Sequence, residues 1–291
     1  MPAGEDDFAL LDLARAMARQ VRRVVASLDT TAARGVARGR GEGGDVSLAV
    51  DALAEAAAID VLEKAAVAAT VVSEERGEVA VAGGGELRVV IDPVDGSLNA
   101  KRGLPFASLS VAFAQGSRLR DVTCGFVCDL ASGDEWFAVR GRGAYRRLAG
   151  ADASASDDRL PLERVLPASR QLEVLALECT APRLIAAHAG AIEASGAERV
   201  RVLGGAAEAM CLVAEGRVDA LVALRPLRVV DFAAARVVVE EAGGSVWLGG
   251  EGGKARLAIA SRLELVAARD AGTAKRLAEL FFGAERPAAR C

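Results

Sequence analysis

Apolar residues in the first thirty positions recur every three or four places, at Leu10, Ala14, Met17, Val21, Val24 and Leu28, which predicts an amphipathic helix over 5–28. A basic, glycine-rich stretch follows from Gly35 to Gly44 and reads as a flexible loop. Alanine and leucine then predict a closely packed helix from about Val50 to Ala66. Residues 68–73 read as a buried strand ending in Glu74-Glu75, and residues 87–91 as another that delivers Asp92. From Pro105 to Arg147 the period falls to two: Leu109, Val111 and Phe113 alternate, Gly116-Ser117 turns, and the pattern returns over 122–127 and again over 136–139. That rhythm is an antiparallel meander.

The polar, alanine-rich run 149–161 marks an expected boundary between an α+β part, 1–150, and a second part, 151–291. Beyond it strands are expected at 172–177, 200–203, 218–223, 245–248 and 257–260. Helices at about 182–195, 205–215, 231–242 and 262–282 lie between or after them, which is α/β organisation.

Composition narrows the chemistry. The 291 residues carry 40 acidic and 36 basic side chains and a single histidine, His188. Zinc sites rich in histidine are excluded, and any Ser-His-Asp mechanism would depend on that one residue. Near-neutral charge leaves no footprint for a nucleic-acid partner. No apolar run approaches the roughly 18 residues of a membrane helix. The acidic start, Met-Pro-Ala-Gly-Glu-Asp-Asp, is unlike a secretory leader, so a cytoplasmic protein is expected. Cys124 and Cys128 have metal-like spacing without a second pair, and read as buried thiols in a strand.

Two motifs invite a functional reading. Gly39, Gly41 and Gly44 match G-x-G-x-x-G, but they follow a helix and no βαβ unit surrounds them, so a loop explains them. More informative is Asp92-Pro93-Val94-Asp95-Gly96-Ser97-Leu98-Asn99. Pro93 interrupts the strand and turns the chain, bringing Asp95 back beside Asp92. Two carboxylates so close repel unless they share a proton or a cation. The N–H groups after Gly96 would form an anion cradle beside them. Read as structure alone, D-P-x-D-G is an ordinary Asx-capped turn, Asp231 an ordinary helix cap, and Glu74-Glu75 an ordinary strand end.

Together these segments resemble the inositol monophosphatase family of magnesium-dependent phosphatases. The D-P-[ILV]-D-G-[TS]-x-N motif is matched by residues 92–99, and the acidic pair by Ser73-Glu74-Glu75. Val230-Asp231-Phe232-Ala233-Ala234-Ala235 partly matches W-D-x-A-A-G, followed by Glu-Ala-Gly-Gly at 241–244. Asp45 to Asp51 is similar to a D-x-[ST]-x-x-x-D helix start, and Leu203-Gly204-Gly205-Ala206-Ala207 to a substrate-side G-[SA]-A-A turn. The matches run in the same order from residue 45 to residue 244.

The resemblance implies a five-layer α-β-α-β-α sandwich, usually a homodimer. Glu74, Asp92, Asp95, Asp231 and the carbonyl of Val94 would hold two or three Mg²⁺ ions, with Mn²⁺ as the alternative. Asp51 and Ser97, with Glu74, would orient and deprotonate the attacking water, and Glu75 would support them from behind. The N–H groups of Gly96 and Ser97 would bind phosphate, Gly204, Gly205 and Ala206 would line the substrate side, and loop 35–44 would be a mobile cover. The departures matter too: Val230 stands for the tryptophan and Ala235 for the last glycine. Where animal enzymes carry an acidic, polyol-contacting residue, this chain reads Ala223-Leu224-Arg225-Pro226-Leu227-Arg228. That stretch looks more like the archaeal branch acting on both inositol phosphate and fructose 1,6-bisphosphate, so Arg225 or Arg228 would meet a second phosphate. The expected activity is phosphomonoester hydrolysis; the rival expectations are a 3′-phosphoadenosine-type nucleotide phosphatase and a non-catalytic sugar-phosphate binder.

Overall fold

The computed structural model describes residues 5–44, 46–150, 156–161, 171–179 and 181–283. In the first half the order is α1 (Glu5–Ser27), α2 (Thr31–Arg34), β1 (Ala37–Arg40), β2 (Val46–Leu48), α3 (Ala49–Lys64), β3 (Ala69–Ser73), β4 (Gly77–Val81), β5 (Arg88–Asp95) and α4 (Ser97–Arg102). The meander follows as β6 (Ser108–Ala114), β7 (Val122–Asp129), β8 (Glu135–Val139), β9 (Gly143–Arg147) and β10 (Asp158–Arg159). Next come β11 (Val174–Glu178), α5 (Pro182–Ala187), α6 (Ala189–Ala194), β12 (Arg199–Arg201), α7 (Ala206–Glu215), β13 (Ala220–Ala223) and β14 (Leu227–Arg228). The chain continues through α8 (Val229–Glu241), β15 (Ser245–Leu248), β16 (Arg262–Leu263), β17 (Leu265–Ala268) and α9 (Ala271–Phe282).

Two main sheets result. The larger has eight strands in the order β10-β9-β8-β7-β6-β5-β3-β4, antiparallel except for the β3–β5 pair. The smaller has five, β12-β11-β13-β17-β15, parallel across β12, β11 and β13 and antiparallel beyond. Alternation along each strand feeds two cores at once. On β5, Val89 and Ile91 join Met17, Val21 and Leu62 of α1 and α3, while Val90 between them joins Met210, Phe232 and Val238 of α7 and α8. The far side of that second core is the smaller sheet, through Ala176, Leu221 and Leu265. Its outer face packs Leu175, Val222 and Val266 on Leu277, Ala278 and Phe281 of α9. The layers therefore run α-β-α-β-α, as the resemblance implied. Both faces of both sheets are covered, so their strands read as nearly continuous apolar runs.

The middle layer depends on small residues. A Cβ on Gly125 of β7 would lie 2.2 Å from the Ala234 carbonyl of α8, so helix backbone meets strand backbone there. Cys124 and Cys128 are buried thiols on β7 that form no disulfide, matching the expectation. Among the described residues no helix is long and apolar enough to cross a membrane.

Several expectations need correction. The Leu257–Ala260 run is not a strand: Leu257 donates to the Ser117 carbonyl, and residues 259–260 turn. The neighbouring apolar run, Leu265–Ala268, enters the sheet instead and occupies the start of the segment expected as helix 262–282. The helix expected over 182–195 is broken at His188 into α5 and α6. Loop 35–44 contributes a strand to the β1–β2 hairpin. The periodicity marks none of β2, β4, β9, β10, β14 and β16 as a separate strand. Asp45, the boundary residues 151–155 and Cys291 lie outside the described residues.

Candidate active site

The site grows from an irregularity in β5. Its pairing with β6 shifts register between Asp92 and Asp95, where Pro93 has no N–H to give the ladder. The Val94 N–H turns back to Asp92 Oδ1 at 3.1 Å. Gly96 then adopts φ 86°, and a Cβ there would lie 2.4 Å from the Phe106 carbonyl, so only glycine passes this corner. Helix α4 starts at Ser97, whose hydroxyl donates to the Val94 carbonyl at 3.0 Å.

Three other elements bring acids to the same corner. In α3, Asp51 Oδ2 accepts from the Leu48 N–H at 3.2 Å, whereas Oδ1 is buried with no hydrogen-bond partner. Strand β3 ends where Glu74 and Glu75 emerge, and Glu55 of α3 fixes that exit by accepting the Glu75 N–H at 2.8 Å. Asp231 is the third residue of α8 and accepts the Arg228 N–H at 3.1 Å. The hairpin closes over the acidic pair, since Gly43 N–H donates to the Glu74 carbonyl at 2.9 Å and Glu42 N–H to that of Glu75 at 3.2 Å.

One oxygen from each of Glu74, Asp92 and Asp231 lies within 4.8 Å of the others. Burial raises the pKa of Asp51, Glu74, Asp92 and Asp95, and repulsion from the acids around them adds to it. Asp51 is pushed up to about 6 by burial, against the pull of the Ser97 hydroxyl. Glu74 rises to about 7 through burial and Asp231, although Arg228 opposes the shift. Asp92 and Asp95 are driven well above the carboxylate range by burial and by the acids around them. So many buried oxygens, with no nitrogen or sulfur ligand among the three, fit a hard divalent cation.

These residues line a cleft of about 280 Å³. Of the predicted positions, Asp51, Glu74, Glu75, Asp92, Val94, Asp95, Gly96, Ser97, Gly204, Ala206, Arg225, Arg228 and Asp231 all face it. Gly205 does not: it sits in the turn behind, where a Cβ would be 3.0 Å from the Phe106 carbonyl. Asp95 is outside the three-carboxylate group, and its Oδ2 accepts the Ala207 N–H at 2.7 Å, tying β5 to the start of α7. Arg228, the alternative to Arg225 for a second phosphate, pairs with acids, at 2.5 Å from Glu74 and 3.1 Å from Asp231. Arg225 remains oriented to the cleft, with Nε buried and without a hydrogen-bond partner.

Glu178, at the end of β11, also lines the cleft, and burial raises it to about 7 while Arg225 opposes. Nothing in the sequence around it marks it as more than a strand end. Glu55 was missed as well, yet it carried a signal: it follows Asp51 by one helical turn on an otherwise alanine-rich face.

The model of the family described as "Inositol monophosphatase family" matches residues 6–283. The chain belongs to the inositol monophosphatase family. Its phosphatase relatives include a fructose-1,6-bisphosphatase/inositol-1-monophosphatase of Archaeoglobus fulgidus, 33% identical over 91% of this chain and 95% of the relative. A protein of the same description from Methanothermobacter thermautotrophicus is 34% identical over 79% and 81%. A bifunctional NADP phosphatase/NAD kinase of Methanococcus maripaludis is 29% identical, but only 37% of it is covered. Among solved structures, SuhB of Mycobacterium tuberculosis superimposes with a TM-score of 0.69 at 24% identity, covering 94% of this chain and 95% of that one, which supports the fold. This chain is thus a phosphatase of a metal-dependent family and carries an acidic cluster suited to a metal.

Proposed function

We propose that this phosphatase hydrolyses inositol monophosphate and fructose 1,6-bisphosphate with Mg²⁺, two or three ions, as cofactor and Mn²⁺ as the alternative. The observation that carries this reading is one small polar cleft joining the Glu74–Asp92–Asp231 oxygens to Arg225 and the N-terminal turn of α4. Its volume, about 280 Å³, lies at the low end for ligand sites, which favours a sugar or polyol phosphate over a whole dinucleotide.

Glu74, Asp92, Asp231, Asp95 and the Val94 carbonyl would hold the cations, which supply charge neutralisation and a more acidic water. Asp51 Oδ1, buried and unpartnered, would accept a proton from the attacking water, with the Ser97 hydroxyl beside it. Backbone N–H groups at Gly96 and Ser97 would hold the phosphate. Gly204 and Ala206 would contact the alcohol portion, Arg225 would take the second phosphate of a bisphosphate, and Glu178 would accept sugar hydroxyls. A cytoplasmic homodimer, with parts 1–150 and 151–291 meeting at the cleft, completes the reading.

The test is phosphate release from inositol 1-phosphate, fructose 1,6-bisphosphate, 3′-phosphoadenosine 5′-phosphate and NADP⁺, each after chelation and after Mg²⁺ or Mn²⁺ is restored. Turnover of the first two only with metal supports the reading. Preference for either nucleotide, or full activity in chelator, overturns it.

A further inference from the structure

Arg228 grips two of the three carboxylates that the proposed cation site requires. Its Nη1 is 2.5 Å from Glu74 Oε1 and its Nε is 3.1 Å from Asp231 Oδ1. The backbone N–H of the same residue donates to Asp231 Oδ2 at 3.1 Å, so both oxygens of Asp231 are engaged. The guanidinium is buried and packed under the hairpin, where a Cβ on Gly43 would lie 2.7 Å from Nη1. Gly43 in turn donates its N–H to the Glu74 carbonyl. A divalent ion on these carboxylates would lie only a few ångströms from the guanidinium, two like charges with little water between them, so each weakens the other's hold.

We propose that Arg228 is an internal competitor of the divalent cation. It is a positioning residue: it neutralises Glu74 and Asp231, holds them together under the hairpin, and competes with an ion for their oxygens. The cleft that Arg228 lines is the space open to the displaced head. Ion pairing by Arg228 therefore stabilises the metal-free fold and weakens cation binding, and the two effects are linked reciprocally. The inference rests on the metal reading above.

The test uses the full chain, stripped with chelator and dialysed, with Mn²⁺ as the probe. Bound Mn²⁺ is counted by electron paramagnetic resonance of the free ion, and Tm is recorded with and without metal. Arg228→Met is expected to bind Mn²⁺ more tightly by about five- to a hundredfold, the usual range for coupled sites. Its metal-free Tm should fall, and its rise in Tm on saturation should exceed that of the wild type. Arg228→Lys, with one shorter charged head, should show a smaller gain and serves if the Met variant does not fold. Binding by the wild type with no gain in either folded variant overturns this inference alone. No Mn²⁺ binding by wild type and variants alike overturns the metal reading, and this inference with it. A lower Tm without tighter binding marks Arg228 as merely structural and also overturns it.

Discussion

The side-chain amide of Asn99 donates to the Leu203 carbonyl at 2.8 Å, across 104 positions of chain, and to the Phe106 carbonyl at 3.0 Å. Asn99 is the only asparagine in the sequence. It locks the first turn of α4 to the turn at Gly204, whose φ of 84° suits glycine. Asn99→Ala leaves two carbonyls without this donor, which should destabilise the fold by about 1–3 kcal/mol. Because the acids are untouched, KM should rise more than kcat falls. Steady-state kinetics and a melting curve check this, and a normal KM would contradict the positioning role.

Asp92 is buried among Glu74, Asp95 and Asp231, whose repulsion raises its pKa. Asp92→Asn keeps an oxygen for the Val94 N–H while removing one negative charge. Turnover should drop by roughly a hundredfold or more, the scale for losing a preorganised electrostatic group. Metal-free Tm should stay level or rise. A wild-type rate in the variant would remove Asp92 from the site.

Glu208 of α7 is buried with Oε2 unpartnered, and burial, then Asp129, Asp134 and Glu215, push it up to about 8. A raised carboxyl pKa means the folded protein keeps a proton that the unfolded chain loses above its own value near 4.5. Stability from this group is therefore full below about pH 4.5 and declines as pH rises to about 8. Glu208→Gln should raise Tm at pH 8–9 relative to wild type and lose that advantage in acid. Parallel melts across pH decide it; a constant gap would rule out ionisation as the cause.

Gly125→Ala forces a Cβ to within 2.2 Å of the Ala234 carbonyl, so β7 and α8 must separate. Overpacking of this kind costs about 1–3 kcal/mol, and a denaturation curve should show that loss at least. An unchanged midpoint would mean the layers are looser than the structure indicates.

His188 is remote from the cleft: Nδ1 lies 2.8 Å from the Leu184 carbonyl and the ring stacks on Phe281 at 6.1 Å. His188→Ala should retain kcat and lose roughly 0.5–1.5 kcal/mol of stability, the worth of such a ring pair. A large fall in kcat with an intact fold would contradict a metal-based mechanism.

Much of the fold was legible because burial writes its period into the chain. Leu10, Ala14, Met17 and Val21 state a helix facing one core, and β6 alternates Val111 and Phe113 against Ala112 and Ala114, one set for each core. Asp92 and Asp95 were legible for a different reason, since turn chemistry at Pro93 and Gly96 returns one carboxylate beside the other, whereas 51, 74 and 231 stood out only through the resemblance to the family. Periodicity could not choose between residues 257–260 and 265–268, two apolar runs of similar character. The open slot between β13 and β15 accepts only one of them.

The sequence alone determined the oxygen-rich, histidine-poor chemistry and the corner at Asp92–Ser97, since both follow from residue type and local geometry. Tertiary structure alone decided who faces whom. It seated Arg228 on Glu74 and Asp231, turned Asp95 to the Ala207 N–H, and brought Glu178 from β11 into the cleft. Pairings across a hundred or more positions depend on how five layers stack, and charge partners are chosen by burial and distance, which a linear pattern does not carry.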